Sequence, residues 1–298
     1  MSAKVDPLPL TMEDEVDKIE INQNPNKNNI SNQDEGLQKS FRDYEKACDR
    51  VKNFYEEQHT NQTFEFNLQV RERFKKREKR KMTIFEALEV LDGLVDESDP
   101  DMELGQLDHL LQTAEAIRKD GKPDWMQVVG LIHDLGKLMH LFRPEGEESR
   151  QWDVVGDTFV VGAKFSDKII YPNTFSKNPD WNDPVYSSEY GVYEPNCGME
   201  NVLLSWGHDE YLYNVLKDKC LLPKEGLAMI RFHSFYPWHR DGAYRQFMNE
   251  GDQKLLEAVI SFNPYDLYSK STIRPDPVKL RPYYQSIVEK YFPEEIEF

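Results

Sequence analysis

The strongest constraint on the fold of this chain is one predicted helix. It contains polar residues within a run of apolar ones. Residues 124–142 read DWMQVVGLIHDLGKLMHLF, and the spacing of the apolar positions predicts one continuous helix with Asp124 as its N-cap. His133 and Asp134 are adjacent in its most apolar part. An ionised aspartate is costly to bury without a partner, whereas a divalent cation stabilises its charged form. The segment therefore predicts a pair of metal ligands.

Two residues after this pair support a binding site. Gly136 leaves space beside His133 and Asp134, and Lys137 follows one helical turn beyond His133 on the same predicted face. The ammonium group of Lys137 could therefore reach whatever binds at open metal positions.

Helical patterning recurs along the chain from Phe41 onward. It covers segments near 38–59 and 64–81, a segment capped by Thr83, and LDHLLQTAEAIRKDG, which should stop at Gly121. It resumes later in MENVLLSWGHDEYLYNVLKD, PKEGLAMIRFHSFYPWH, DQKLLEAVISF and PVKLRPYYQSIVEKYF. Between about 142 and 197, Pro, Gly, Asn and Asp interrupt the pattern, and DTFVVGA and DKIIY could be brief strands or loop. The sequence predicts an all-α bundle with one long irregular loop region.

The first 36 residues differ in composition from the rest of the chain. This segment contains INQNPNKNNISNQDEG, which offers almost no apolar surface to offset the entropy lost on ordering. We expect residues 1–36 to form a disordered polar tail and residues 37–298 to form a single catalytic domain.

The charge of the chain argues against polyanionic partners. The 54 acidic residues outnumber the 37 basic ones, giving a formal net charge of −17, which would repel nucleic acids and anionic membranes. The basic run RERFKKREKRK at 71–81 could bind either partner, but its aromatic neighbours favour a solvated helix face. We therefore expect no nucleic-acid partner.

The sequence also gives an expected location. It begins without the pattern of a signal peptide, has no apolar run long enough to span a bilayer, and contains 3 widely spaced cysteines. We expect a cytoplasmic monomer with no membrane partner.

The remaining histidines set the number of ligands available. His208 and His233 each lie on a predicted apolar helix face, where an isolated histidine is usually a core residue. Two such histidines downstream of a His-Asp pair favour a site for two metals. His109 lies off the apolar stripe of its helix, and Asp266 by itself is typical of a turn. We interpret the other histidines as structural residues: His59, His140 and His239.

The pattern H…HDxGK…H…D is the signature of the HD-domain superfamily, whose members are helical bundles around one or two metals. More specific segments are LDGLVDESDPD, LLQTAEAIRK, GLIHDLGK, VVGDTFVVG, SWGHDEYLY, RFHSFYPWH and FNPYDLYSK. In this order, from about Phe41 to the C-terminus, they resemble the myo-inositol oxygenase family. The resemblance implies an HD-domain-like bundle around a two-metal site.

The resemblance also implies a function. Two iron ions, in a mixed-valent Fe(II)/Fe(III) state, would use dioxygen to cleave myo-inositol to D-glucuronate and water. One iron would be bound by His109, His133, Asp134 and Asp266. The other would be bound by His208, His233 and the second oxygen of Asp134.

Lys137 is the implied catalytic residue. The implied substrate-binding residues are Arg42, Asp96, Glu97, Ser98, Lys137, Gly156, Asp157, His233 and Ser234. Asp99 lies in the same acidic loop as Asp96 and Glu97. The carboxylates of this loop suit a polyol because they accept hydrogen bonds from several hydroxyl groups.

Two alternatives share these residues. An HD-type metal-dependent phosphohydrolase would use the same ligands to activate water, but phosphate requires basic residues and this site is acidic. A non-catalytic helical binding module would bind one structural metal or none. Nitrogen and oxygen ligands also suit manganese, zinc and, less readily, magnesium, so the ligands alone do not fix the metal.

Overall fold

Helices make up nearly all the regular structure of the described residues. The computed structural model describes residues 49–98, 105–143, 150–268 and 274–298. Eleven α-helices lie in these ranges, which confirms the predicted all-α class: α1 Asp49–Asn61, α2 Phe64–Lys76, α3 Ile84–Leu91, α4 Gln106–Lys119, α5 Asp124–Ile132, α6 Leu138–Leu141, α7 His208–Leu216, α8 Lys224–Phe232, α9 Tyr236–His239, α10 Asp252–Tyr268 and α11 Pro277–Val288.

Local capping explains several of the helix boundaries. Thr83 is the N-cap of α3, and its hydroxyl accepts a hydrogen bond from the amide of Glu86, whose carboxylate accepts one from the amide of Thr83. Helix α4 ends just before Gly121, which has a φ of +65°. The prediction for Asp124 was wrong, because Pro123 is the N-cap of α5 and Asp124 is its first residue. The Asp124 carboxylate pairs with Lys290 instead of capping the helix.

The helix predicted over 124–142 is interrupted at the His-Asp pair. Helix α5 ends at Ile132, His133 is its C-cap, and Asp134 has φ −94° and ψ 0°. A 3-10 turn over Leu135–Lys137 then leads into α6. The prediction of a continuous helix was wrong, and Lys137 therefore does not follow His133 on a regular α-helical face.

Two other predicted helices are interrupted in the same way. Helix α7 begins at His208, and the residues of the predicted helix before it form a 3-10 turn over Met199–Asn201 but no α-helix. Helix α8 ends at Phe232, so His233 is a C-cap and α9 is a separate short helix. Three of the four candidate histidine ligands thus lie at helix ends, where the chain changes direction.

The helices pack into a bundle with the candidate ligands on its inner surfaces. Helix α4 packs along α5, α8 packs against both α7 and α10, and α10 also contacts α4. Helix α11 packs against α5. Gly130 allows the close approach of α4 and α5, since a Cβ atom there would lie 3.1 Å from the Cα of Ala114.

The irregular region at about 142–197 contains turns and short 3-10 segments wherever it is described. Two of these segments are Pro172–Lys177 and Pro179–Asn182. Val160 forms an isolated antiparallel bridge with Leu204, so DTFVVGA contributes one bridge, and DKIIY forms turns. In the described ranges the named strands are β1 Lys81–Met82 and β2 Ile296–Glu297, which pair antiparallel. The irregular region thus matches the prediction.

The predicted tail, residues 1–36, lies outside the described residues, as does the predicted domain boundary at residue 37. The described residues all belong to one compact unit. Within that part of the chain, none of the helices combines the length and apolar character needed to cross a bilayer.

Candidate metal centre

Four imidazole rings from separate helices meet in the interior of the bundle. The ring centroids of His109 and His133 are 5.3 Å apart, and those of His133 and His233 are 5.0 Å apart. His208 completes the chain of rings, with its centroid 5.1 Å from that of His233. The four histidines proposed as ligands from the sequence therefore converge.

Asp134 lies between two groups of imidazoles and presents a different oxygen to each. Its Oδ1 atom lies 3.2 Å from Nε2 of His208 and 3.5 Å from Nε2 of His233. Its Oδ2 atom lies 3.7 Å from Nε2 of His133 and 3.9 Å from Nε2 of His109. A carboxylate in this position can bridge two cations.

Asp266 completes the group formed by His109 and His133. It lies on α10, and its Oδ1 atom is 3.1 Å from Nε2 of His109 and 3.2 Å from Nε2 of His133. Burial raises the pKa of Asp266, but the two histidines hold it well below the usual value for an aspartate. Its carboxylate is therefore ionised and suited to binding a cation.

Backbone carbonyl groups fix the tautomers of three of the histidines. The Nδ1 atoms of His133, His208 and His233 lie 3.0, 2.8 and 2.9 Å from the carbonyl oxygens of Gly130, Val154 and Ile230, respectively. A carbonyl oxygen can only accept, so each Nδ1 carries the proton and each Nε2 of a neutral ring directs a lone pair into the centre. Histidine ligands of metals are held in this way.

The Nε2 atom of His133 provides the clearest test of whether a metal fits. It is fully buried and faces Oδ1 of Asp266 at 3.2 Å without making a hydrogen bond to it, although nearly all buried polar atoms in proteins have a partner. Nitrogen lone pairs and carboxylates converge here at separations suited to adjacent ligands of one cation. Imidazole and carboxylate together suit iron, manganese or zinc. The residues present thus fit a two-metal centre.

Lys137 adds a buried positive charge beside Asp134. Its Nζ atom donates to Oδ2 of Asp134 at 2.8 Å and to Oε1 of Gln106 at 3.3 Å, and lies 2.8 Å from Oδ2 of Asp96. Burial lowers the pKa of Lys137, but Asp134 and Asp96 raise it above its ordinary value. Lys137 is therefore a permanent cation at the edge of the centre.

His208 has a second carboxylate beside it. Nε2 of His208 lies 2.8 Å from Oδ1 of Asp209, which follows it in the sequence. Burial lowers the pKa of His208, but Asp209 and Asp134 raise it to about 10. This neighbourhood of carboxylates attracts positive charge, whether a proton or a metal ion supplies it.

Comparison with known proteins identifies the family to which this arrangement belongs. The family model described as myo-inositol oxygenase matches residues 48–298. The chain belongs to the myo-inositol oxygenase family. It is 49% identical over 263 residues to an inositol oxygenase of Dictyostelium discoideum, covering 87% of this chain and 89% of that protein.

Two vertebrate relatives have about the same sequence identity to this chain. The inositol oxygenase of Bos taurus is 50% identical over 259 residues, covering 85% of this chain and 89% of the relative. That of Danio rerio is 49% identical over 258 residues, covering 85% and 91% of the two chains. These matches confirm the resemblance stated from the sequence motifs.

Several residues that the family resemblance predicts to bind substrate lie in buried positions. Oδ1 of Asp96 accepts hydrogen bonds from the amide of Ser98 at 2.8 Å and from its hydroxyl at 2.6 Å. Asp157 is buried, and Oδ1 of its carboxylate accepts a hydrogen bond from the Tyr55 hydroxyl at 3.2 Å. Gly156 has a φ of +91°, and a Cβ atom there would lie 2.7 Å from the ring of Phe54. A side chain at position 156 is thus excluded.

The other predicted substrate residues differ in their surroundings. Ser234 is buried beside the centre, and its hydroxyl oxygen lies 3.5 Å from Nε2 of His208. Glu97 is exposed, and its backbone carbonyl accepts a hydrogen bond from Arg50 at 2.7 Å. Arg42 and Asp99 lie outside the described residues.

Sequence reasoning missed the carboxylate of Asp209. The signal was available, because His208 and Asp209 repeat the His-Asp step of residues 133 and 134. Asp209 has no exposed surface and lies 3.5 Å from Nε2 of His233 through its Oδ1 atom.

Three histidines expected to be structural have local partners. His59 stacks on Phe175 with ring centroids 4.0 Å apart, and Nε2 of His239 lies 2.9 Å from the carbonyl oxygen of His233. Nδ1 of His140 lies 3.1 Å from the carbonyl oxygen of Arg150. These contacts are consistent with the structural interpretation.

Proposed function

We propose that this chain is a di-iron oxygenase that cleaves the ring of myo-inositol with dioxygen to give D-glucuronate and water. The observation that carries the proposal is the position of Asp134, whose two oxygens face two separate groups of imidazoles in a member of this family. In the balanced reaction one carbon–carbon bond breaks. One oxygen atom of dioxygen enters glucuronate and the other leaves as water.

The proposed ligand sets follow the two groups. His109, His133 and Asp266 would hold one iron together with Oδ2 of Asp134, and His208 and His233 would hold the other with Oδ1 of Asp134. When bound, the iron pair would supply the redox chemistry that dioxygen requires. No nicotinamide or flavin is needed.

Lys137 would provide the electrostatic part of catalysis. Its ammonium is held between Asp134 and Asp96, so its position is fixed before substrate binds. A ring hydroxyl that loses its proton near Asp134 would then meet a positive charge already in place. We assign Lys137 this catalytic role.

Hydroxyl recognition would come from the polar residues around the centre. The buried carboxylates of Asp96 and Asp157 can accept hydrogen bonds from ring hydroxyls, and Ser234 can both donate and accept. We include Arg42, Glu97, Ser98, Asp99, Gly156 and His233 in the proposed substrate site, as the family resemblance implies.

The acidic character of the site argues against the phosphohydrolase alternative. Among the described residues, Lys137 contacts Asp134 directly, whereas the nearby guanidinium of Arg231 pairs with the buried Glu210. A phosphate would therefore face several carboxylates with little compensating positive charge. A neutral polyol fits this environment better.

Oxygen consumption tests the proposal. Protein loaded with ferrous iron should consume oxygen when myo-inositol is added, with one glucuronate formed for each dioxygen used. Asp134→Asn should abolish the reaction, whereas Asp252→Asn, which changes a buried carboxylate elsewhere, should not. Phosphate release from phosphomonoesters without oxygen uptake would instead support the hydrolase, and failure to retain any metal would support a binding module.

A further inference from the structure

Asp209 is neither a proposed metal ligand nor a proposed substrate contact, yet it forms two hydrogen bonds with Ser234. Its Oδ2 atom accepts a hydrogen bond from the backbone amide of Ser234 at 3.1 Å, and its Oδ1 atom accepts one from the Ser234 hydroxyl at 3.1 Å. The carboxylate has no exposed surface. It therefore binds one serine through both of its oxygens in the interior of the protein.

Ser234 is held at a break between helices. Helix α8 ends at Phe232 and α9 begins at Tyr236, so the backbone at Ser234 is not fixed by a regular helix. The hydrogen bond from the Ser234 amide to Asp209 takes the place of a helical hydrogen bond there. The second bond sets the direction of the Ser234 hydroxyl, which lies 3.5 Å from Nε2 of His208.

The same serine holds a second part of the proposed substrate site. The carbonyl oxygen of Ser234 accepts a hydrogen bond from the amide of Thr158 at 3.0 Å. Thr158 directly follows Gly156 and Asp157, both proposed substrate contacts. A displacement of Ser234 would therefore be transmitted to the 156–158 loop.

We propose that Asp209 is a positioning residue that holds Ser234, and through it the 156–158 loop, against the imidazoles of His208 and His233. This inference rests on the proposed function for its effect on substrate, but the contacts of Asp209 do not depend on that function. Both carboxylate oxygens are needed, since one orients the backbone of Ser234 and the other its hydroxyl.

The test compares two isosteric substitutions of buried carboxylates. Asp209→Asn replaces one oxygen by an amide that cannot accept a hydrogen bond. Asp252→Asn is the matched control, because Oδ2 of Asp252 accepts hydrogen bonds from the amides of Met199 and Asn249, both at 2.9 Å. Asp252 is also buried but takes no part in the proposed site.

Three measurements would be made on each iron-loaded variant: iron per chain, amide hydrogen exchange and steady-state kinetics. In Asp209→Asn the amides of Ser234 and Thr158 should exchange at least about tenfold faster while iron content stays at the wild-type level. The KM for myo-inositol should rise about tenfold, as expected for loss of a hydrogen bond to a charged group, with a smaller effect on kcat. Asp252→Asn should change exchange near Met199 instead.

A double substitution tests whether Asp209 acts through Ser234. The fold-increase in KM of the double variant Asp209→Asn with Ser234→Ala should be smaller than the product of the two single fold-increases, because both changes remove the contact between Asp209 and the Ser234 hydroxyl. Fold-increases in KM that multiply fully would overturn the proposal.

The outcomes separate the positioning role from the proposed function. Lack of oxygen uptake by wild-type protein with myo-inositol would refute the function, while exchange at Thr158 would still test the positioning. Unchanged exchange in Asp209→Asn, or loss of iron from it, would overturn the inference, and iron loss would make Asp209 a ligand. If Asp209→Asn does not fold, Asp209→Glu, which displaces the carboxylate, should give the same faster exchange with iron retained.

Discussion

Gly136→Ala should disrupt the metal centre, although Gly136 is not one of the proposed ligands. A Cβ atom at position 136 would lie 2.0 Å from the carbonyl oxygen of His208, 2.7 Å from its carbonyl carbon and 2.9 Å from its Cα atom. Non-bonded carbon atoms are most stable about 3.5–4.0 Å apart, so the backbone of His208 would have to move by roughly 1 Å. No change of rotamer can relieve this clash, since all three atoms belong to the backbone.

The expected loss of iron in Gly136→Ala follows from the position of His208, which is the first residue of α7. Nε2 of His208 lies 3.2 Å from Oδ1 of Asp134, and a shift of the backbone would alter that separation. A binding site tolerates displacements of only about 0.5 Å, so one of the two proposed irons should be lost. Overpacking of a core usually costs about 1–3 kcal/mol, and a clash between backbone atoms belongs at the upper end.

The assay compares this variant with Gly93→Ala. At Gly93 the nearest atom to an added Cβ is the carbonyl oxygen of Val90 at 3.9 Å, an ordinary contact. We would measure iron per chain after reconstitution, and the free energy of unfolding of chelator-treated protein in urea. Gly136→Ala should bind about half the wild-type iron and lose about 3 kcal/mol of stability, whereas Gly93→Ala should change stability by less than about 0.5 kcal/mol. Wild-type iron content and stability in Gly136→Ala would refute this reasoning.

Four further predictions concern buried charged or titratable groups. Asp134→Ala should lose both irons and all activity, whereas Lys137→Ala should retain iron but lose turnover and substrate affinity, as metal analysis beside oxygen uptake would show. Glu210→Gln should lower the free energy of unfolding by about 3 kcal/mol in urea titrations, because it leaves the buried guanidinium of Arg231 without its counter-charge. Burial lowers the pKa of His59 to about 3. Since the unfolded state binds a proton below about pH 6.5, wild-type stability should fall by about 2 kcal/mol more than that of His59→Gln between pH 7 and pH 5.

Each of these expectations has a contrary result. An active Asp134→Ala protein would refute the ligand assignment, and full turnover by Lys137→Ala would refute its electrostatic role. Wild-type stability of Glu210→Gln would mean that the ion pair contributes little. Equal pH dependence of the wild-type protein and His59→Gln would mean that His59 does not remain neutral in the folded state.

Local sequence signals predicted the existence of most helices but not where they are interrupted. The capping box of α3 and the glycine after α4 act within a few residues, so both boundaries could be predicted. The interruptions at His133, His208 and His233 lie in apolar segments whose periodicity continues across them. Contacts with distant residues lie at such a helix end. At His208 the ring atom Nδ1 lies 2.8 Å from the carbonyl oxygen of Val154, and the backbone packs against Gly136.

From residue patterns alone, a candidate ligand could be predicted only where its neighbours in the sequence were apolar. His133 and Asp134 were evident from their apolar surroundings, whereas His109 lies off the apolar stripe of α4 and was assigned through the family resemblance. The packing of α10 against α4 places Oδ1 of Asp266 3.1 Å from Nε2 of His109, and no pattern within either helix predicts that packing. The His208-Asp209 step is visible in the sequence, but the contacts of Asp209 with Ser234 are not, because Ser234 lies in another helix–helix connection.

The helical class, the chemistry of the donor atoms and the family could all be predicted from the amino-acid sequence. These properties follow from composition, periodicity and motifs, which are local or directly comparable between chains. The packing of the helices sets which oxygen of Asp134 faces which imidazoles, and it places Asp209 between His208 and Ser234. Such directions depend on how helices cross and where they end, because they join residues that are far apart along the chain.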